Sequence, residues 1–130
     1  FSLSYTLTNA KFQSNFGSTQ DIWGEVSEGD RIPYIPQHQL NSSISFQSDK
    51  YEINLSGNYN GKFSTVANGS VEIPSYLIFD ISFRYNLNSN ITFRTKMLNL
   101  FDKNYAVSRA PAGLRPGHPF GIYAGFEYRF

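Results

Sequence analysis

The feature that most constrains this chain is a period of two. Leu77, Phe79, Ile81, Phe83, Tyr85 and Leu87 alternate with Asp80, Ser82, Arg84 and Asn86. Tyr51, Ile53, Leu55 and Tyr59 oppose Glu52, Asn54, Ser56 and Asn58, and Ile91, Phe93 and Met97 oppose Thr92, Arg94 and Lys96. The same alternation carries Phe1, Leu3, Tyr5 and Leu7, then Leu40, Ile44 and Phe46, and closes the chain through Ile122, Ala124, Phe126, Tyr128 and Phe130. Successive side chains on a strand point to opposite faces, whereas a helix needs apolar residues three and four apart. Helical spacing fits nowhere, so the expectation is all-β, with about six strands.

The segments between them alternate in length. Residues 14–28, 64–75 and 106–119 are long connections, while "QSDKY" and "NLNSN" are tight turns. In an antiparallel meander this order places every long loop at one end of the sheet. The short turns and the C-terminus lie at the other.

Period two does not say which face is inside. In a soluble sandwich the apolar face packs on a second sheet; in a membrane barrel it meets lipid, and the polar face lines the lumen. Three features favour the barrel. No Asp, Glu, Lys or Arg stands at the centre of an apolar face, where lipid would penalise one by about 2–4 kcal/mol. Aromatic residues mark strand ends, at Tyr5, Tyr51, Tyr59, Tyr85, Tyr105, Tyr128 and Phe130, as rings do at a membrane–water boundary. The 22 aromatic residues (12 Phe, 9 Tyr, 1 Trp) sit in a chain of mean hydropathy −0.37, the mark of alternation rather than apolar blocks. Single-chain bacterial barrels begin at about eight strands, so about six are the last part of a larger sheet. The alternative is a soluble all-β binding module, such as a carbohydrate-binding sandwich using Trp23 and loop tyrosines.

Other classes find little support. With 11 Lys+Arg against 10 Asp+Glu the net charge is +1, no reason to expect a nucleic-acid partner. Cysteine is absent and His38 and His118 are the two histidines, too few for a His-based zinc site. No nucleophile elbow, P-loop or dinucleotide fingerprint occurs, so no enzyme is expected.

Several segments together resemble the TonB-dependent outer-membrane receptors. "MLNLFDKNYAVSRAPAGLRPGHPFGIYAGFEYRF" (residues 97–130) is similar to the family's C-terminus, with its "N-L-F-D-K-x-Y" penultimate strand and a last strand ending "Y-R-F". "GDRIPYIPQHQLNSSISF" (29–46) and "IPSYLIFDISFRYNL" (73–87) are similar to earlier blocks, in family order and spacing. The stretch 112–119 most resembles the iron(III)-dicitrate branch.

The resemblance implies that residues 1–130 are the C-terminal part of a barrel of about 22 strands in the bacterial outer membrane, with the plug domain, the TonB box and the earlier strands outside this chain. The implied partners are outer-membrane lipid, the receptor's own plug and remaining strands, TonB through the N-terminal part, and the barrel-assembly machinery. The implied cargo is an Fe(III) chelate, a ferric siderophore or ferric citrate, with no resident cofactor. Arg109, Arg115, His118 and Trp23 become candidate ligand residues. Forked guanidinium groups suit an anionic chelate, although Arg109 and Arg115 could instead pair with acids such as Asp102. Asp80, Arg84, Arg94 and Lys96 are expected to face the lumen, holding the plug or cross-pairing between strands. His38, at the top of a descending strand, suits packing. Tyr128 and Phe130 are the implied assembly signal, and Gly57 is expected to ease strand curvature.

Overall fold

A computed structural model describes residues 1–20, 23–109 and 113–130. Among these, twelve strands form: β1 (Ser2–Leu7), β2 (Phe16–Gly17), β3 (Glu25–Val26), β4 (His38–Gln47), β5 (Tyr51–Asn60), β6 (Phe63–Ser64), β7 (Glu72–Ile73), β8 (Tyr76–Asn86), β9 (Ile91–Leu98), β10 (Ala106–Ser108), β11 (Arg115–Pro116) and β12 (Gly121–Tyr128). Six of them make one antiparallel sheet in the order β1-β4-β5-β8-β9-β12. Each long strand lies beside its sequence neighbour, as the meander reading expects.

The register keeps the two faces separate across all six strands. Leu55 stands opposite Ile44 on one side and Ile81 on the other, and Ile81 stands opposite Met97. Asn54 likewise lies between Ser45 and Ser82. A slip by one residue would have mixed the sets. Ring pairs stitch the apolar face: Phe46 with Tyr51 at 5.7 Å and Phe93 with Phe126 at 5.2 Å. Hydrogen bonds stitch the polar face: Ser2 with Ser43 at 2.8 Å, Gln39 to Asn60 at 3.0 Å, Asn54 to Ser45 at 2.6 Å and Thr92 to Asn86 at 3.0 Å.

Among the described residues no second layer covers the apolar face, apart from the Phe101 ring beside Phe79. Phe126 is 73% exposed, Leu3 60% and Ile44 57%. A sandwich would cover such residues with a second sheet, and no such sheet is present among the described residues.

The buried apolar residues lie elsewhere. Val26, Phe63, Ala67, Ile73 and Ile78 all sit at the long-loop end. The loops there are more ordered than their composition suggests. Each carries a two-stranded ladder: β2 with β3, β6 with β7, and β10 with β11. These pairings are too short for period two to announce.

One expectation about a single residue is corrected. Tyr105 is not a strand-end ring: it lies in the loop after β9, and its ring covers Gly117, where a Cβ would stand 2.0 Å from it. Gly57 has neighbours that leave little room for a side chain. It faces Phe79 across the ladder, and a Cβ there would meet the Phe79 ring and Ser42 Oγ at 3.0 Å.

Candidate functional site

The long-loop end is built around the turn after β9. Asn99 is 2% exposed and adopts a left-handed backbone, φ 48°, a conformation asparagine tolerates better than most residues. Its amide side chain donates to the carbonyls of Lys103 (3.0 Å) and His118 (2.9 Å), while its Oδ1 accepts from the Lys103 N–H (2.9 Å). Its own N–H donates to Asp80 Oδ1 at 2.8 Å. One buried residue, through its side chain and its backbone N–H, thus ties β8, the turn and the approach to β12. Asp102, also at φ 48°, accepts the Phe120 N–H at 3.0 Å. Its carboxylate is therefore engaged with backbone, and neither Arg109 nor Arg115 forms an ion pair with it.

A second knot joins the three long loops. Tyr34 has φ 63°, an uncommon conformation for a bulky residue. Its N–H donates to the Ser64 carbonyl at 2.8 Å, its ring lies 6.1 Å from that of Phe63, and its hydroxyl accepts the Arg109 N–H at 3.4 Å. The loops lean on one another, so they form a common cap with buried residues of its own.

Between the β6–β7 and β10–β11 loops lies a cavity of about 560 Å³, lined among others by Tyr76, Lys103, Tyr105, Arg109 and Leu114. The Tyr76 and Tyr105 rings stand 4.6 Å apart. Glu72 also lines it but pairs with Lys62, so two cations beside paired tyrosine rings suit an anionic ligand with flat or aromatic parts.

The four candidate ligand residues do not converge. Arg109 lines the cavity. Arg115 is exposed on β11, opposite Ser108. Among the described residues neither guanidinium joins an ion pair. His118 contacts Tyr123 Oη through Nε2 at 3.2 Å, and its backbone N–H donates to Tyr105 Oη at 3.2 Å. Trp23 packs edge-on against Phe12 at 5.8 Å, in the first long loop. His38 packs as expected: it stacks on Tyr5, and Nδ1 lies 2.7 Å from the tyrosine hydroxyl. Tyr76, Lys103, Tyr105 and Asn99 were missed as site residues. "NLFDKNY" held three of them in view, but their convergence depends on contacts between residues far apart in the chain, such as Asn99 with His118 and Tyr76 with Tyr105.

Asp80, Arg84, Arg94 and Lys96 share the polar face of β8 and β9. Arg84 lies 3.8 Å from Glu52, a cross-strand neighbour on β5, and Arg94 pairs with Glu127 on β12. Asp80 makes no cross-strand ion pair among the described residues; its carboxylate accepts the Asn99 N–H. At the C-terminus the ladder ends at Tyr128, whose ring meets Phe130 at 5.5 Å. Asn90 fastens the next residue, accepting the Arg129 N–H at 2.9 Å and donating to its carbonyl at 2.7 Å.

Known proteins bear on this arrangement. The family model described as "TonB dependent receptor-like, beta-barrel" matches residues 1–100. The catecholate siderophore receptor Fiu of Escherichia coli (strain K12) is 30% identical over 95 residues, 68% of this chain and 12% of the relative. The chain therefore spans about one eighth of the length of the curated relatives it matches. The crystal structure of the siderophore receptor PiuA from Acinetobacter baumannii superposes over 97% of this chain and 19% of its own, with TM-score 0.84 at 19% identity. The ferric citrate transporter FecA in its unliganded form superposes over 86% and 18%, with TM-score 0.65 at 18% identity. At such identities the two structures establish the fold alone. PiuA extends that likeness across the last strands, beyond the end of the family match.

Proposed function

This chain belongs to the TonB-dependent receptor β-barrel family, an outer-membrane family, and on that premise we propose that it forms part of the wall of a receptor taking up an anionic iron chelate in a TonB-dependent manner. The observation that carries the reading is the two-faced sheet with a cap at one end. The apolar face faces lipid. The polar face, with Asp80, Arg84, Arg94 and Lys96, faces the lumen. The exposed edges of β1 and β12 join the remaining barrel strands, since lipid tolerates no unpaired edge. The long loops then stand outside the cell and present the Arg109 cavity to the medium.

Iron-chelate cargo is supported by relatives named as siderophore receptors. Within that class ferric citrate, suggested by residues 112–119, and a ferric catecholate, suggested by the Fiu relationship, are the two candidates. Residue 112 of that stretch carries no structural argument, because 110–112 lie outside the described residues. Paired tyrosines beside Lys103 and Arg109 suit the aromatic chelate better than citrate. Tyr128 and Phe130 serve assembly, as an aromatic end on the edge strand offered to a receiving sheet.

The test is titration of the purified full-length receptor with ferric citrate and with a ferric catecholate. Arg109→Ala combined with Arg115→Ala should weaken the bound chelate by about tenfold or more, at unchanged surface abundance. Unchanged affinity would make both arginines idle. Binding of neither chelate would end the substrate assignment.

A further inference from the structure

Two Asn-Gly pairs occur in the chain, Asn60-Gly61 and Asn68-Gly69, and the fold treats them differently. The side-chain amide of an asparagine is open to attack by the backbone nitrogen of the next residue. A following glycine presents that nitrogen with no side chain to obstruct it. Asn60 ends β5, held in the ladder between Gln39 and Tyr76. Its Oδ1 accepts from Gln39 Nε2 at 3.0 Å, and the Gly61 N–H donates to the His38 carbonyl at 2.8 Å. Space beside Gly61 is filled, since a Cβ there would stand 3.0 Å from that same carbonyl. Closing a ring at Asn60 would pull it out of the ladder. Asn68 and Gly69 lie instead in the turn between β6 and β7, both exposed. Asn68 Oδ1 accepts the Ser70 N–H at 3.0 Å, which folds the side chain back over the Gly69 peptide and draws electrons from the amide carbon. Gly69 has φ 74°, and its N–H reaches the Val66 carbonyl at the longer distance of 3.2 Å. Nothing stands within 4 Å of where its Cβ would be.

We propose that Asn68 is a site of spontaneous deamidation and that the sheet protects Asn60 from the same reaction. The Gly69 nitrogen, having lost its proton to hydroxide, attacks Asn68 Cγ. The N–Cγ bond forms, the Cγ–Nδ2 bond breaks, and ammonia leaves after taking a proton from water. Water then opens the cyclic imide. Opening at the Cγ carbonyl leaves aspartate; opening at the main-chain carbonyl leaves isoaspartate, whose backbone is longer by a methylene. Nothing is oxidised or reduced. Either product puts a carboxylate into a cavity of about 690 Å³ that Asn68 shares with Arg31 and Lys62. Arg31 forms no ion pair among the described residues, while Lys62 pairs with Glu72 at 3.1 Å, so the new carboxylate finds a cation to meet. The isoaspartyl form also lengthens the turn of a hairpin whose Ser64 carbonyl accepts the Tyr34 N–H. The modification thus reaches the knot that joins the long loops.

The full-length receptor, kept folded in detergent at mildly alkaline pH, is sampled over days and its peptides are mapped by mass spectrometry. Isoaspartate is scored by enzymatic methylation. The Asn68 peptide should convert steadily to a mixture of aspartate and isoaspartate. The Asn60 peptide should convert at least about tenfold more slowly, as a site opened only by loss of the ladder. In guanidinium chloride the two should convert at similar rates, which assigns the difference to the fold. Gly69→Ala should slow the Asn68 reaction by about tenfold, by crowding the attacking nitrogen. Should that variant disturb the turn, the ratio of folded to unfolded rates in the unaltered chain still decides. Asn68 as slow as Asn60 in the folded receptor would overturn the proposal. Conversion to aspartate with no isoaspartate would overturn the cyclic route on which it depends.

Discussion

The sheet and its cap are held together by different means. In the sheet, regularity does the holding: a ladder of backbone bonds, ring pairs on one face and amide–hydroxyl pairs on the other. Its apolar side chains stay exposed, so its free energy depends on lipid and on further strands. In the cap, a few specific contacts do the holding: Asn99 and Ile73 are buried, and half-buried Tyr34 bonds from one loop to the next. The sheet is legible residue by residue and incomplete alone. The cap is nearly illegible in sequence and closer to self-sufficient. Substitutions should therefore act through surroundings in one region and through specific contacts in the other.

The largest effect is expected at the buried asparagine. Asn99→Leu removes three side-chain hydrogen bonds, strands the groups that made them and places a branched residue at φ 48°. At about 1–3 kcal/mol for each buried group left unpaired, the turn should lose about 3 kcal/mol or more. In the full-length receptor, hydrogen exchange of residues 99–120 should quicken by roughly a hundredfold, while the amides of β4 and β5 keep their protection. Equal loss in both places would show that cap and sheet are one cooperative unit.

The next pair compares neighbours on one strand. Leu55 and Asn54 have the same backbone and opposite faces. Leu55→Arg should cost about 2–4 kcal/mol if that face meets lipid at mid-bilayer, and should lower the amount of receptor reaching the outer membrane. Asn54→Arg, beside Ser45 and Ser82, should cost less than about 1 kcal/mol, as polar-face changes do. The reverse order in outer-membrane abundance would invert the sidedness of the sheet.

Legibility follows the same division. The six long strands, both tight turns and the assignment of residues to faces were readable because each rests on a local repeat. Cross-pairing between strands was expected from the same alternation, but Glu52 as the partner of Arg84 depends on the register. The three loop ladders were not readable, since two-residue strands have no period. Ile78 has the parity of the polar face yet is 8% exposed, a burial that alternation does not announce. Tyr105 was read as a boundary ring since aromatic identity alone does not distinguish a girdle from a lid over glycine. Asn99 stood in plain view in "NLFDK", but its partner carbonyl at His118 is a tertiary fact.

The smallest effects, and the finest test of the contrast, come from two glycines. Gly57 lies in the sheet and Gly117 in the cap. A Cβ at Gly57 would meet the edge of the Phe79 ring and the Ser42 hydroxyl at 3.0 Å. Both are ends of side chains on an open face, and they can give way by a few tenths of an ångström. A Cβ at Gly117 would stand 2.0 Å from the Tyr105 ring. That ring is held by Tyr76 at 4.6 Å, and its hydroxyl accepts the His118 N–H. Moving it aside far enough would break both contacts. Gly117→Ala should therefore cost about 1–3 kcal/mol, the usual range for overpacking, and Gly57→Ala less than about 1 kcal/mol. Exchange rates of the flanking amides in the full-length receptor measure both. The clash assignment makes a further demand: Tyr105→Ser should restore most of what Gly117→Ala loses, because contacting residues are not additive. If the double variant is as loose as the sum of the singles, Gly117 is required for its backbone rather than for the ring above it. If Gly57→Ala proves the costlier of the two, the open face of the sheet is less yielding than the enclosed cap, and the contrast between the regions fails where it is most local.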